Sequence, residues 1–251
     1  MLKRKLENTS VRENAEDDEI APKEKKTSAY FVSSGPRLVQ SDYNKPCVDL
    51  AKFLLGKMLC RQCPDTGLVI RAKIVEVESY PGPSDGASHS YKGQTRRNGA
   101  MFMSAGTSYV YSIYGMYYCF NVSSLETGGA VLIRALEPMD NVEMMRSNRE
   151  KKRKNGGKIS KDKDICNGPS KLCQAFSISK EQNCVDLCVS DCIWMEDFET
   201  VCDDKIVNTT RIGIEGCGKP WSQLKLRWYV LGNTCVSVRD KFAESVLIKS
   251  I

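Results

Sequence analysis

With 251 residues, 41% of them hydrophobic, the chain has enough apolar material for one large domain or two small ones, which excludes disorder throughout. It holds no run of about 18 apolar residues, so no membrane-spanning helix is expected, and its charged start lacks the apolar centre of a secretory signal. The formal net charge of +6 is uneven: residues 1–30 hold seven basic and seven acidic side chains, so the remainder carries the whole excess.

Residues 1–35 are polar and charge-mixed without periodicity, which reads as a disordered tail. Within it, Lys3-Arg4-Lys5 and Lys23-Glu24-Lys25-Lys26 resemble short nuclear import signals. From 36 to 251 no linker and no repeat divides the chain, so one domain is expected there. Val48–Leu55, closed by Gly56, fits a short helix with a glycine stop. Cys60-Arg61-Gln62-Cys63 has the spacing of a zinc half-site, but there is no second such pair and His89 is the only histidine, so no metal is expected. The twelve cysteines of a chain without an export signal read as free thiols. Cys184, Cys188 and Cys192 fall four apart and would share one helix face as small apolar residues. Leu68–Tyr80 reads as a strand whose even-numbered face runs Ile70, Ala72, Ile74, Glu76, Glu78, Tyr80. Two carboxylates then continue an apolar face toward the strand's end, where one can activate water; a salt-bridged structural pair is the alternative. The turn-rich loop Pro81–Ser90 can bring His89 back toward that end.

Tyr109–Asn121 alternates at period two and breaks at Tyr114-Gly115, predicting a hairpin with Tyr114 at its tip. An exposed tyrosine on a rigid finger suits a wedge between stacked bases; ordinary packing under neighbouring segments is the alternative. Ala130–Leu136 looks like a buried strand. Residues 146–164 hold nine basic against three acidic residues and a Gly156-Gly157 pair, which reads as a mobile basic loop able to attract a polyanion. Asn167–Phe176 places Pro169 at a first helical position, and Trp228–Val238 reads as a second hairpin turning at Gly232-Asn233. Strands and helices intersperse without regular alternation. The expected class is α+β: one compact domain with a curved, mostly antiparallel sheet, surrounding helices and a protruding hairpin.

A series of motifs in order from Arg37 to Val238 resembles the alkyladenine (3-methyladenine) DNA glycosylase family. They are Val75-Glu-Val-Glu-Ser-Tyr-Pro-Gly-Pro83, Ala87-Ser-His-Ser90, Arg97-Asn98, Met101-Phe-Met103, Gly106–Asn121, Val131–Pro138 and Asn167–Gln174. The resemblance implies that Glu78 is the general base and that Arg134 lies beside the attacking water and the flipped nucleotide's phosphate. It implies that Tyr111 stacks on one face of the extruded base with Tyr80 and His89 on the other, and that Asn121 rejects normal guanine by a clash with its amine. Tyr114 falls on the intercalating position, Met116 stands beside it, and Arg97 and Lys171 match DNA-contacting positions. Between His89 and Arg97 the chain is one residue shorter than the vertebrate pattern, with Tyr91-Lys92 replacing residues richer in arginine and glycine.

The activity so implied is hydrolysis of the N-glycosidic bond of damaged purines (3-methyladenine, 7-methylguanine, hypoxanthine, ethenoadenine) in double-stranded DNA by base flipping, leaving an abasic site. No cofactor is expected, because hydrolysis needs only an activated water, and no matched motif offers the amine nucleophile of a lyase. A monomer working in the nucleus, with mitochondria as a second compartment, is expected. The alternative is a non-catalytic binder of DNA lesions or of single-stranded nucleic acid.

Overall fold

The computed structural model describes residues 35–153 and 156–250. The expected tail and its two basic clusters lie outside the described residues. Eight strands form one sheet: β1 (Met58–Gln62), β2 (Val69–Tyr80), β3 (Ser108–Ile113), β4 (Tyr117–Ser123), β5 (Ala130–Asp140), β6 (Ile193–Glu196), β7 (Ile206–Thr209) and β8 (Arg227–Val230). Every paired ladder is antiparallel, in the order β3-β4-β5-β2-β1-β6, and the sheet branches at β2. β1 pairs with the first half of β2 up to Lys73, and β8 takes over the same edge at Glu76–Glu78. No described helix is long and apolar enough to cross a membrane.

Helices cover the sheet: α1 (Gln40–Tyr43), α2 (Cys47–Leu54), α3 (Val142–Lys151), α4 (Pro169–Ala175) and α5 (Lys241–Ser250). In α2 the buried residues Cys47, Leu50, Ala51 and Leu54 recur at helical spacing and pack on Ile70, Ile74, Val131 and Ile133. α4, opened by Pro169 as expected, adds Leu172, Cys173 and Ala175 to that core. A smaller cluster of Val75, Ala135, Val207, Tyr229, Cys235 and Val236, covered by Ala243 and Leu247 of α5, is separate from it.

Four sequence expectations are corrected. The even-numbered face of β2 does not run unbroken, because a β-bulge falls at Ile74–Glu76. Beyond it Val77, not Glu76, joins Ile70, Ala72 and Ile74 in the main core, so both glutamates leave the apolar face. The second hairpin does not form: one edge of β8 pairs with β2 and the other with β7, leaving none for a returning strand. Cys184, Cys188 and Cys192 lie in turns rather than on a helix, with Cys184 at a φ of 63°. Finally, the first six residues of the basic 146–164 segment belong to α3. That helix is anchored by the buried Met145, and Arg146 pairs with Glu143 and Asp162, so charge there hides a packed face.

Candidate active site

The bulge decides the chemistry at the end of β2. Glu76 and Glu78 are both fully buried, and Arg134 of β5 bridges them, its Nε lying 3.4 Å from Glu76 Oε1 and its Nη1 3.2 Å from Glu78 Oε1. Glu76 is further held by Arg227 Nη1 at 2.8 Å and by the Ser237 backbone N–H at 2.7 Å. Two guanidinium groups and an amide make it a structural carboxylate. Glu78 accepts the Ile212 backbone N–H at 2.8 Å and the Tyr80 hydroxyl at 2.9 Å. Both glutamates are thus ion-paired to Arg134, the salt-bridged reading, and Glu78 alone is also held by two groups of the cleft wall, Tyr80 and Ile212.

Glu78 itself shows no exposed surface, but it stands directly behind the wall of a cleft of about 550 Å³. Tyr80, Leu132, Arg134 and Ile212 form that wall, and three of them are the groups that contact its carboxyl. Burial pushes its pKa above the ordinary carboxylate value, against the opposing pull of Arg134, the Ile212 N–H and the Tyr80 hydroxyl. Tyr80 is positioned from behind as well, since the Arg211 guanidinium lies 4.7 Å from its ring centre. Arg211 makes a buried bidentate pair with Asp85 and donates to the Ser79 carbonyl at 3.0 Å. One ion pair thus ties the loop after β2 to the segment that carries the Ile212 N–H.

The expected aromatic and amide residues converge on this cleft: Tyr80, His89, Tyr111 and Asn121 all line it, with Tyr109, Met101 and Cys119. Asn121 donates to the Tyr109 carbonyl at 2.9 Å, which fixes its amide across the hairpin. His89 Nδ1 lies 2.9 Å from the Tyr109 hydroxyl, and burial together with the Arg97 charge lowers its pKa. Asn98 holds the short 89–98 loop by donating to the carbonyls of His89 and Gly93 at 2.9 and 3.0 Å. His89 and Tyr111 lie against each other. Their ring centres are 4.5 Å apart with the planes at 75°, an edge contact. A base between them would need about 7 Å, two van der Waals separations.

Of the expected DNA-facing residues, Tyr114 lies at the hairpin tip and is 89% exposed, and Met116 beside it is also exposed. The alternative of a covered, packed tip is therefore excluded. Tyr114 and Gly115 both have positive φ (52° and 69°), the requirement of the mirror-image turn, and Met116 N–H closes it on the Ile113 carbonyl at 3.2 Å. A tyrosine in this conformation is strained, by about 1–3 kcal/mol. With no packing to lose, Tyr114→Gly should raise the unfolding free energy by about 1 kcal/mol, net of glycine's own entropy cost; a lowered urea midpoint would contradict this. Arg97 is exposed beside the hairpin, donating to the Ser112 carbonyl at 3.2 Å. Lys171 binds Asn167 Oδ1 at 2.7 Å outside the cleft, on a separate groove.

The family model for methylpurine-DNA glycosylases matches residues 41–234. The chain belongs to that family. It is 44% identical over 260 residues to the DNA-3-methyladenine glycosylase of Mus musculus, covering 98% of this chain and 77% of the relative. To the DNA-3-methyladenine glycosylase of Homo sapiens it is 43% identical over 223 residues (86% and 74%), and to the probable enzyme of Encephalitozoon cuniculi 49% over 200 (78% and 90%). The expected family, the α+β class and the assignment to base-excision repair as a DNA glycosylase all stand. Sequence reasoning about this glycosylase missed Ile212, Arg211 and Asp85. A backbone N–H leaves no side-chain signature, and Asp85 and Arg211 stand 126 positions apart. Among the described residues no three His, Cys, Asp or Glu side chains converge as a metal site, and all twelve cysteines are free.

Proposed function

We propose that this glycosylase hydrolyses the N-glycosidic bond of damaged purines in double-stranded DNA, with Glu78 as general base. The observation that carries the reading is the Glu78 carboxylate behind an aromatic cleft beneath a bare hairpin tip. A carboxylate offers about four lone-pair positions. Ile212, Tyr80 and Arg134 engage three, which leaves one for a water once the wall between Glu78 and the cleft opens. Water oxygen bonds to the sugar's anomeric carbon, Glu78 takes its proton, and the carbon–nitrogen bond breaks with its electron pair leaving on the purine. Arg134 holds the carboxylate and the nucleotide's phosphate. Tyr111, Tyr80 and His89 hold the flipped base once His89 and Tyr111 part, and Asn121 excludes guanine. Tyr114 fills the gap in the stack, Met116 lies against the neighbouring bases, and Arg97 and Lys171 contact the backbone.

One assay tests this: release of free base from duplexes carrying 3-methyladenine, 7-methylguanine, hypoxanthine or ethenoadenine. A protein that bound such duplexes without releasing base would be a lesion binder instead. Activity requires ionised Glu78, so its raised pKa moves the acid limb of kcat/KM above the ordinary carboxylate range, with activity rising as pH rises through it. An acid limb at or below that range would contradict the assignment. We place the working protein in the nucleus as a monomer; its eukaryotic relatives and the basic clusters before residue 30 support the compartment.

A further inference from the structure

Trp221 has no part in the proposed mechanism and does not line the cleft, yet its indole lies behind a stretch that does. Gly86, Ala87, Ser88 and His89 form one side of the cleft. A Cβ added to Gly86 would fall 2.5 Å from Cδ1 and 2.7 Å from Cε2 of the indole, closer than real side chains approach. Gly86 does not have a positive φ, so the ring, not the backbone angle, accounts for a glycine there.

The indole is tied to the strand that carries Glu78. The Trp221 carbonyl accepts from Arg211 Nη2 at 3.3 Å and from the Leu224 N–H at 3.3 Å. Two residues on, the Leu226 carbonyl accepts the Ser79 N–H of β2 at 2.8 Å, and the chain enters β8, which pairs with β2 at Glu76–Glu78. The indole also meets the ring of Tyr91, with centres 6.1 Å apart and planes at 55°. Tyr91 stands in the short loop after His89, where the family resemblance supplied no role. The cleft-lining stretch is pinned at Asp85 by the Arg211 ion pair and at Ser90 by a 2.6 Å bond to the Gly128 carbonyl. Between those anchors, the atoms nearest the site of a Gly86 Cβ all belong to the indole.

We propose that Trp221 is a positioning residue for the flipped purine: its indole, wedged behind Gly86, fixes how far the Gly86–His89 stretch projects into the cleft. Because the ring is referenced to β2, the same contact sets the distance between that side of the cleft and Glu78. A purine is a flat, rigid guest, and a wall that recedes by about 0.5–1 Å forfeits roughly a quarter to a half of each contact's attraction. Trp221 acts on the base and leaves the hydrogen bonds of Glu78 in place. The inference rests on the reading of the chain as a glycosylase of damaged purines.

The test is a cycle of Trp221→Ala, Gly86→Ala and the double variant, read by single-turnover base release from an ethenoadenine duplex. Trp221→Ala lets the stretch recede, and Gly86→Ala forces stretch and ring apart. Each should raise the half-saturating enzyme concentration about tenfold while the saturated rate stays within about twofold of native. In the double variant the new methyl enters space that the ring has vacated, so half-saturation should drop below that of both single variants. Trp221→Phe, which keeps a flat ring behind Gly86, should lie closer to native than Trp221→Ala. The acid limb of the pH profile should not move in any of them, because Ile212, Tyr80 and Arg134 still hold Glu78. Native half-saturation in both single variants would overturn the proposal, as would a double variant no better than the worse single one. So would a shifted acid limb, since Trp221 would then act on the general base rather than on the purine. Failure of the glycosylase reading shows separately, as absence of base release by the native protein.

Discussion

Glu78→Gln should slow base release from an ethenoadenine or hypoxanthine duplex by about 10²–10⁴-fold under single-turnover conditions, the range of a lost general base. Affinity for the lesion should persist. Glutamine can still accept the Ile212 N–H, and Arg134 keeps Glu76 as its counter-charge, so the cleft walls have no reason to move. The acid limb of the pH profile should vanish with the carboxylate, because an amide does not titrate in that range. A Glu78→Gln protein with native turnover would remove the residue from its assigned role. A protein that lost lesion affinity together with turnover would make Glu78 a binding residue instead.

Asp85→Ala should unfold about 3–5 kcal/mol more easily than the native protein in urea, the cost of stranding one charge of a buried pair. Neither partner reaches solvent: side-chain exposure is 0% for Arg211 and 2% for Asp85. Carbonyl oxygens of Ser79 and Trp221 would still accept from the guanidinium but supply no negative charge. Adding Arg211→Met should recover most of the loss, since replacing both charges by apolar groups is close to neutral. Recovered stability should not bring full activity, because Arg211 backs the Tyr80 ring and precedes the Ile212 N–H that holds Glu78. A single variant within 1 kcal/mol of native would mean that water reaches the pair.

The first hairpin was legible because alternation and a Tyr-Gly break are local signals, and local geometry alone makes the tip. Helices α2 and α4 announced themselves through a glycine stop and a leading proline. The family motifs then gathered Tyr80, His89, Tyr111, Asn121 and Arg134 into one group, and the cleft brings them together. What stayed hidden was non-local. Period-two counting along β2 could not register an inserted residue, so it put both carboxylates on the wrong face. The partners of β8 depend on strands far away in sequence, which is why a Gly-Asn turn alone suggested a hairpin. In α3 a single buried methionine and an arginine that packs by its stem were masked by surrounding charge.

The irregularity between β2 and β5 has an evolutionary side. β2 carries its extra residue at Ile74–Glu76 and β5 carries one beside Arg134, so the two strands resume their former register at Val77–Ile133. Losing one residue from either strand alone would slip the pairing and turn Glu78 or Arg134 toward the greasy interior. A matching deletion in the other strand would realign them. Lineages descended from this gene should therefore keep both irregularities or lose both together, and an intermediate with only one should leave no folded descendants.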